Sequence, residues 1–301
     1  MKIVNIIGGL GNQMFQYAFA IALKKRFPTE EVLIDTSHFH YVFSKSWKGT
    51  NLHNGYEIEK VFPNASLKTA SPLQLMKVTW YMPNYILSRI VRRMLPVRRT
   101  EFIQKRENIF VFQPEVLERK GNCYYEGNWE SEKYFVDCRK EVQEAFAHGE
   151  PNSVNAKYIE EMEREESVAI HVRRGDYMAW SKWSGICTLD YYKKGIEAIL
   201  SDGKKHVFYV FSNDIEWCNE NIKPLLSGHQ CRVVTENIGI YSCWDMFLMT
   251  HCKDLIIANS SFSWWGAFLN RRGGRVVAPG KWMNEERKME IWLDEWIRIS
   301  V

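Results

Sequence analysis

The fold prediction starts from residues 2–35, KIVNIIGGLGNQMFQYAFAIALKKRFPTEEVLID. The β-branched run KIVNII predicts a buried strand, and a glycine segment follows it. A helix is then predicted to end at Lys24, Lys25 and Arg26, whose charges suit the C-terminal end of a helix. The run EVLID predicts a second strand. The chain therefore begins as a β-α-β unit.

The second half of the chain shows the same alternation. The runs SVAIHV, HVFYVFS and DLIIAN have strand length, and helix-length segments such as LDYYKKGIEAIL separate them. This pattern predicts an α/β fold with a parallel, doubly wound sheet. A charged, proline-marked stretch predicts a boundary near residue 150, which gives an N-terminal α/β domain (1–150) and a C-terminal domain (151–301). No topology is predicted for residues 40–120, where prolines interrupt the pattern.

Composition narrows the class of protein. The chain is 46% apolar and 25% charged, as in ordinary soluble proteins, and a net charge of +4 does not indicate nucleic-acid binding. Seven cysteines without a C-x-x-C pair argue for free thiols in a reducing compartment, and against disulfides or structural zinc. No apolar run reaches the ~18 residues of a membrane span, and no signal-peptide cleavage site follows the N-terminal run. A cytoplasmic location is predicted.

Polar residues follow three predicted C-terminal strands, in the segments HVRRGDY, FSNDIEW and NSSFSWWGAFLN. Ligands of open α/β sheets bind beyond the carboxyl ends of the strands. Arg173 and Arg174 carry planar guanidinium groups that suit a phosphate, and a surface ion pair with Asp176 is the alternative. The serines of the third segment precede a predicted helix, whose N–H groups would seat a phosphate, although such serines are also typical caps. Since no Asp-x-Asp pair occurs, we predict a diphosphate site without metal.

The N-terminal glycine segment does not fit the common nucleotide motifs. Met14 stands where G-x-G-x-x-G requires its third glycine, and no Gly-Lys-Ser/Thr sequence occurs. Asp35 lies near the expected position of a ribose-binding acid, which keeps a dinucleotide enzyme open. Two amides at the helix start, Asn12 and Gln13, suit hydrogen bonds to hydroxyls or to a leaving oxygen. We therefore predict that this loop contacts a sugar.

Five blocks resemble those of bacterial α-1,2-fucosyltransferases, glycosyltransferase family 11: GGLGNQMFQYA, EGNWESEKYF, HVRRGDY, FSND and ANSSFSWWGA. They span residue 3 to about 270 in the family's order, and the resemblance is weakest between 40 and 120. Asn128 and Glu130 replace the more usual Tyr and Gln, a departure that bears on the acceptor. The resemblance implies a GT-B-like fold of two Rossmann-type domains, with the donor site at the C-terminal strand ends.

The implied activity is inverting, metal-independent transfer of L-fucose from GDP-fucose to the 2-hydroxyl of a galactoside in a surface glycan of the O-antigen or capsule type. GDP-fucose is then a donor substrate, and no cofactor is expected. The implied partner is a galactose-containing oligosaccharide, lipid-linked in one version of the hypothesis, and no nucleic acid. Two alternatives stay open: an NAD-type dinucleotide enzyme, and a GDP-sugar-binding protein without turnover.

The resemblance also implies roles for single residues. Arg173 would contact the donor β-phosphate, with His171 near the guanine or ribose and Asp245 at the guanine edge. Asn12 would reach the glycosidic oxygen or the fucose. Independently of the resemblance, Asp176 is the predicted catalytic base because it is the only carboxylate in the segment HVRRGDY. The alternatives are an ion pair with Arg174 or proton uptake by the leaving phosphate. The other predicted donor contacts are Gly11, Arg174, Ser212, Asn213, Asp214, Ser261, Phe262 and Ser263, and those predicted on the acceptor side are Glu126 and Trp129.

A further segment, YILSRIVRRMLPVRR (85–99), places five arginines among apolar residues. Helical spacing separates Ile86, Leu87 and Ile90 from much of this charge, as in helices that lie in a membrane interface. Two interpretations stay open. One is peripheral contact with the cytoplasmic face of the inner membrane, and the other is a solvated basic face on a soluble enzyme.

Overall fold

Two units, each with its own parallel sheet, make up the described chain. The computed structural model describes residues 1–40, 54–82 and 84–301, with the backbone alone for His40, Tyr85 and Asp176. Unit 1 comprises Met1–Gly149 and Lys288–Ile291, and unit 2 comprises Glu150–Arg287 and Trp292–Val301. Within the described residues, none of the helices combines the length and apolarity needed to cross a bilayer.

Unit 1 is built on a four-stranded parallel sheet with the order β2-β1-β4-β3. Its strands are β1 (Lys2–Asn5), β2 (Val32–Asp35), β3 (Glu101–Ile103) and β4 (Cys123–Glu126). Its helices are α1 (Leu10–Arg26), α2 (Ile58–Val61), α3 (Pro72–Val78), α4 (Tyr85–Met94) and α5 (Arg139–Ala145). The predicted β-α-β beginning is present, since β1 and β2 pair in parallel on either side of α1.

Unit 2 contains a six-stranded parallel sheet with the order β10-β9-β8-β5-β6-β7. Its strands are β5 (Ser167–Val172), β6 (Val207–Ser212), β7 (Gln230–Val233), β8 (Asp254–Ile256), β9 (Val276–Pro279) and β10 (Ile297–Ile299). Its helices are α6 (Ser153–Arg164), α7 (Leu189–Leu200), α8 (Ile215–Trp217), α9 (Lys223–Leu225), α10 (Cys243–His251) and α11 (Ser261–Phe268).

Both faces of the unit 2 sheet are covered by helices, because its central strands are apolar on both sides. Val168 and Val210 pack into the same buried cluster as Ile196 of α7. On the opposite face, Tyr209 of β6 meets Tyr158 of α6, with ring centres 6.3 Å apart. This layering of helices on both faces of a parallel sheet is the doubly wound arrangement.

Candidate active site

Three adjacent strand ends in unit 2 bring together the predicted donor residues that follow β5, β6 and β8. β8, β5 and β6 lie side by side, and β5 pairs in parallel with both of its neighbours. The strand order reverses here, because the chain proceeds from β5 to β6 on one side and later returns to β8 on the other. Such a reversal opens a crevice beyond the carboxyl ends of the strands, where ligands of α/β sheets bind.

Arg174 connects the ends of β5 and β6. Its Nε lies 3.1 Å from Oδ2 of Asp214, and its guanidinium lies 4.1 Å from the centre of the Trp217 ring. Its backbone N–H donates to Oδ1 of Asn213 at 3.0 Å. Ser212 adds to the turn by accepting the N–H of Asp214 on Oγ at 2.9 Å. These side chains build the two loops, so any contact that they make with a donor comes in addition to a structural role.

The turn after Arg174 requires glycine. Gly175 has φ +38°, and a Cβ there would lie 2.2 Å from Nδ2 of Asn213. A side chain would therefore displace the amide that holds the backbone of Arg174. The side chain of Asp176, the predicted catalytic base, lies outside the described residues.

His171 is buried near the end of β5, with its ring 5.7 Å from that of Phe262. Burial and the charge of Arg173 lower the pKa of His171 to about 3, so its imidazole is neutral near pH 7. Within the described part of the chain, its Nδ1 has no hydrogen-bond partner. Buried polar atoms are rarely left in this state, which favours a ligand contact. Arg173 is half-buried, with its guanidinium 5.2 Å from the centre of the Tyr177 ring.

The serine segment after β8 forms the start of α11. Ser260 caps the helix by accepting the N–H of Phe262 on Oγ at 3.3 Å. Ser261 and Phe262 are half-buried in the first turn, where a phosphate seat is predicted. Ser263 is fully buried, and its hydroxyl donates to the carbonyl of Ala258 at 3.3 Å. The predicted diphosphate contact therefore does not fit the side chain of Ser263, which stabilises the turn instead.

Asp245 lies half-buried in the first turn of α10. Burial raises its pKa to about 7, against the opposing effect of a hydrogen bond from Asn237. Nδ2 of Asn237 donates to Oδ1 of Asp245 at 3.0 Å, and the amides of Asn237 and Asn155 exchange two hydrogen bonds of 3.0 Å. Neither asparagine was among the residues predicted from the sequence. Asn237 follows β7, so extending the strand-end rule to the next strand would have found it.

The glycine segment of unit 1 forms the turn between β1 and α1. Gly8 adopts φ +83°, and Gly11 is buried in the first turn of the helix. The amide of Gln13 is used inside the unit: Nε2 donates to the carbonyls of Gly8 and Gly55 at 2.9 and 2.8 Å, and Oε1 accepts the N–H of Glu57 at 2.9 Å. The predicted sugar contact of Gln13 is therefore wrong. Asn12, one residue earlier, is half-exposed.

Two other residues of unit 1 occupy structural positions. Asp35 is buried, and its carboxylate accepts the hydroxyl of Tyr124 at 2.7 Å and the N–H of Ser37 at 2.9 Å, which argues against a ribose-binding role. Trp129 is fully buried and stacks on Phe19, with ring centres 4.3 Å apart. The acceptor contact predicted for Trp129 does not fit this position. Glu126 remains partly exposed at the end of β4 and pairs with Arg92 at 2.6 Å.

Among the described residues, one group of side chains is close enough to ligate a metal: Asp202, His206 and Asp254. Nη2 of Arg275 lies 2.7 Å from a carboxylate oxygen of each aspartate. An ion-pair network therefore accounts for this group. Asp202 and Asp254 precede or begin β6 and β8, so they lie at the amino edge of the sheet, opposite the strand-end site.

Comparison with known proteins identifies relatives over most of the chain. Residues 110–300 match the family described as glycosyl transferase family 11. An alpha-1,2-colitosyltransferase of Escherichia coli is 31% identical, covering 99% of this chain and 98% of the relative. The O-antigen biosynthesis glycosyltransferase WbnK of Escherichia coli is 28% identical, covering 97% and 98%. A galactoside alpha-(1,2)-fucosyltransferase 1 of Ateles belzebuth is 30% identical, but covers only 44% of this chain and 38% of the relative.

A solved structure shares the fold. A mutant of Arabidopsis thaliana FUT1 in complex with GDP aligns with a TM-score of 0.51 and 13% sequence identity, covering 92% of this chain and 69% of that chain. At this identity the likeness concerns the fold alone. The predicted fold class, GT-B-like with two Rossmann-type units, is confirmed.

Proposed function

The chain belongs to glycosyltransferase family 11, and we propose that it transfers L-fucose from GDP-fucose to the 2-hydroxyl of a galactoside. The main support is the meeting of three polar strand ends at the β5–β8 reversal. Guanidinium groups and helix N–H groups suit a diphosphate, and a carboxylate suits the N–H edge of guanine. Arg173, α11 and Asp245 supply these three chemistries within unit 2.

The proposed transfer is inverting and needs no metal. Arg173 would stabilise the negative charge that develops on the leaving GDP, because a fixed guanidinium requires no reorganisation during the reaction. The N-terminus of α11, at Ser261 and Phe262, would add the partial positive charge of the helix dipole. The sequence offers no Asp-x-Asp pair to hold a metal at the diphosphate. Asn12 is proposed to contact the glycosidic oxygen or the fucose.

Asp176 is proposed as the base that takes the proton of the acceptor hydroxyl. Its replacement, Asp176→Asn, should preserve GDP affinity while abolishing transfer and the acidic limb of the pH–rate profile. Loss of GDP binding or early unfolding would instead indicate a structural role. Full activity would remove Asp176 from the mechanism and leave the donor phosphate as the proton acceptor.

Colitosyl transfer is a second candidate, because a relative that covers nearly the whole chain is named a colitosyltransferase. Colitose is fucose without its 3-hydroxyl. A site whose polar groups bind that hydroxyl rejects the deoxy sugar by about 10⁴-fold or more, whereas an apolar site discriminates weakly. Comparing kcat/KM for GDP-fucose and GDP-colitose decides between them. A strong preference for GDP-colitose would overturn the fucose assignment and leave the family assignment intact.

The acceptor is proposed to be a galactose-containing glycan of the O-antigen or capsule type, which the name of WbnK supports. The nucleotide is tested first, by the shift in unfolding temperature with GDP, UDP, ADP and NAD. We expect GDP alone to give a large shift. A shift with NAD but none with GDP would contradict the proposal, and a GDP shift without donor turnover over a galactoside panel would indicate a binding protein.

A further inference from the structure

The helix α4 presents an apolar face to solvent, the reverse of the usual arrangement at a protein surface. Leu87, Ile90 and Met94 lie on one side of the helix and are 48%, 47% and 79% exposed. Two polar residues of the helix, Ser88 and Arg92, face inward, whereas Arg89 and Arg93 are exposed. Ser88 is buried and exchanges hydrogen bonds with the backbone of Met82, and Arg92 pairs with Glu101 at 3.2 Å and with Glu126.

Exposed apolar residues continue beyond this helix. Leu73 of α3 is 70% exposed, and Val97, after α4, is 57% exposed. We call Leu73, Leu87, Ile90, Met94 and Val97 the α4 surface. Three of these residues share one face of α4, and large apolar side chains exposed together in this way favour a site of interaction.

The segment that carries the α4 surface is basic, and the carboxylates of Glu101 and Glu126, which contact α4, both pair with Arg92. Residues 60–100 contain eight Lys or Arg and no Asp or Glu, which leaves 32 Lys or Arg against 36 Asp or Glu in the rest of the chain. Arg93 and Arg99 are exposed beside the apolar residues. A second copy of the chain would bring two such clusters together, and their repulsion opposes a dimer through this surface. An anionic lipid surface would bind both the exposed apolar side chains and the positive charge beside them.

We propose that the α4 surface docks on an anionic membrane, with Leu87, Ile90 and Met94 inserted at the interface and Arg93 and Arg99 against the lipid phosphates. Helices that lie in the plane of a bilayer interface typically have an apolar face flanked by basic residues. Each Lys or Arg near an anionic surface strengthens binding roughly fivefold. This inference is independent of the proposed donor and acceptor.

The test is co-sedimentation of the full-length protein with vesicles. Vesicles of equal parts phosphatidylglycerol and phosphatidylcholine should bind the protein, and pure phosphatidylcholine should not. Raising NaCl from about 0.1 M to about 1 M shortens the Debye length to about 3 Å and should release the protein. Equal binding to both vesicles, or binding to neither, would overturn the proposal.

Matched variants locate the binding site. Arg93→Glu/Arg99→Glu should weaken binding at least about 20-fold, and Ile90→Ser/Met94→Ser should weaken it at about 0.1 M NaCl although all the arginines are retained. The controls Lys157→Glu/Lys193→Glu and Val136→Ser/Val154→Ser change exposed residues elsewhere and should bind as the wild type. The proposal fails if the controls lose as much binding as the α4 variants. It also fails if Ile90→Ser/Met94→Ser breaks a dimer in sedimentation velocity without changing vesicle binding.

Discussion

Arg173 and Arg174 are adjacent in the sequence but make different contacts. The guanidinium of Arg174 is fixed between Asp214 and the ring of Trp217, where it holds the ends of β5 and β6 together. Arg173 contacts the ring of Tyr177, on the loop beyond β5. Arg174 therefore stabilises the loops at the strand ends, and Arg173 is the arginine that we propose to contact the donor.

The variants Arg173→Ala and Arg174→Ala should separate these roles. Arg173→Ala should lower kcat about 10²- to 10³-fold, the usual loss when one donor to developing charge is removed. Its unfolding temperature should change little. Arg174→Ala should lower the unfolding temperature, because it breaks an ion pair and a stacking contact. Arg173→Lys should restore activity only in part, since it lacks the planar fork. Wild-type turnover of Arg173→Lys would contradict the proposed contact.

The environment of the Asp245 carboxyl predicts how GDP affinity depends on pH. Burial raises its pKa to about 7, so the free protein is protonated there below that pH. Binding of guanine N–H groups requires the carboxylate, and GDP binding must then release a proton at acidic pH. GDP affinity should fall up to tenfold per pH unit below about 7 and level off above it. Calorimetry in buffers of different ionisation enthalpy measures this proton directly.

Two variants test the assignment of this proton. Asp245→Asn should bind GDP weakly and without the pH dependence. Asn237→Ala removes the hydrogen bond that lowers the pKa of Asp245, so the pH limb should move to higher pH. If the limb persists unchanged in Asp245→Asn, another group titrates and the assignment is wrong.

At the scale of elements, the turn from β1 into α1 depends on two neighbouring amides with different surroundings. Gln13 is buried and links the turn to the backbone at Gly55 and Glu57. Asn12 is half-exposed at the same helix start. Both side chains end in an amide, but Gln13 is buried and stabilises the turn, whereas Asn12 is exposed enough to contact a ligand.

Alanine substitution should therefore affect these two residues in opposite ways. Gln13→Ala removes the partner of three backbone groups, the buried N–H of Glu57 and the half-buried carbonyls of Gly8 and Gly55. Because a buried group without a partner costs about 1–3 kcal/mol, the free energy of unfolding should fall by about that amount. Asn12→Ala should reduce kcat with a smaller loss of stability. Urea denaturation and steady-state kinetics on both variants check this. A stable, inactive Gln13→Ala would reverse the assignment.

The strand-end rule explains why the meeting of three polar segments in unit 2 could be predicted from the sequence. Parallel strands end at one edge, so the polar residues after β5, β6 and β8 were bound to meet wherever those strands were neighbours. Side-chain direction was not predictable in the same way. Ser263 and Gln13 lie in the predicted segments but face inward, and Trp129 is in the core, because local sequence does not state what packs against a residue.

At the scale of the whole molecule, the alternating pattern predicted the α/β class, and the structure confirms it with two parallel sheets. The pattern predicted no topology for residues 40–120, of which 41–53 and 83 lie outside the described residues. In the described part, the helices are short and α4 turns its apolar face outward, so the expected inward periodicity is absent. The segment that carries this outward-facing apolar surface, residues 60–100, is basic, whereas the rest of the chain has more acidic than basic residues.

We propose that this family 11 chain is an inverting α-1,2-fucosyltransferase. The decisive experiment is incubation of the purified protein with GDP-fucose and a galactoside in the presence of excess chelator, followed by NMR analysis of the product. We predict free GDP and one product, with fucose linked through its α-anomeric carbon to the 2-hydroxyl of galactose. A different linkage, a β-linked product, or activity only after a divalent metal is restored would contradict the account.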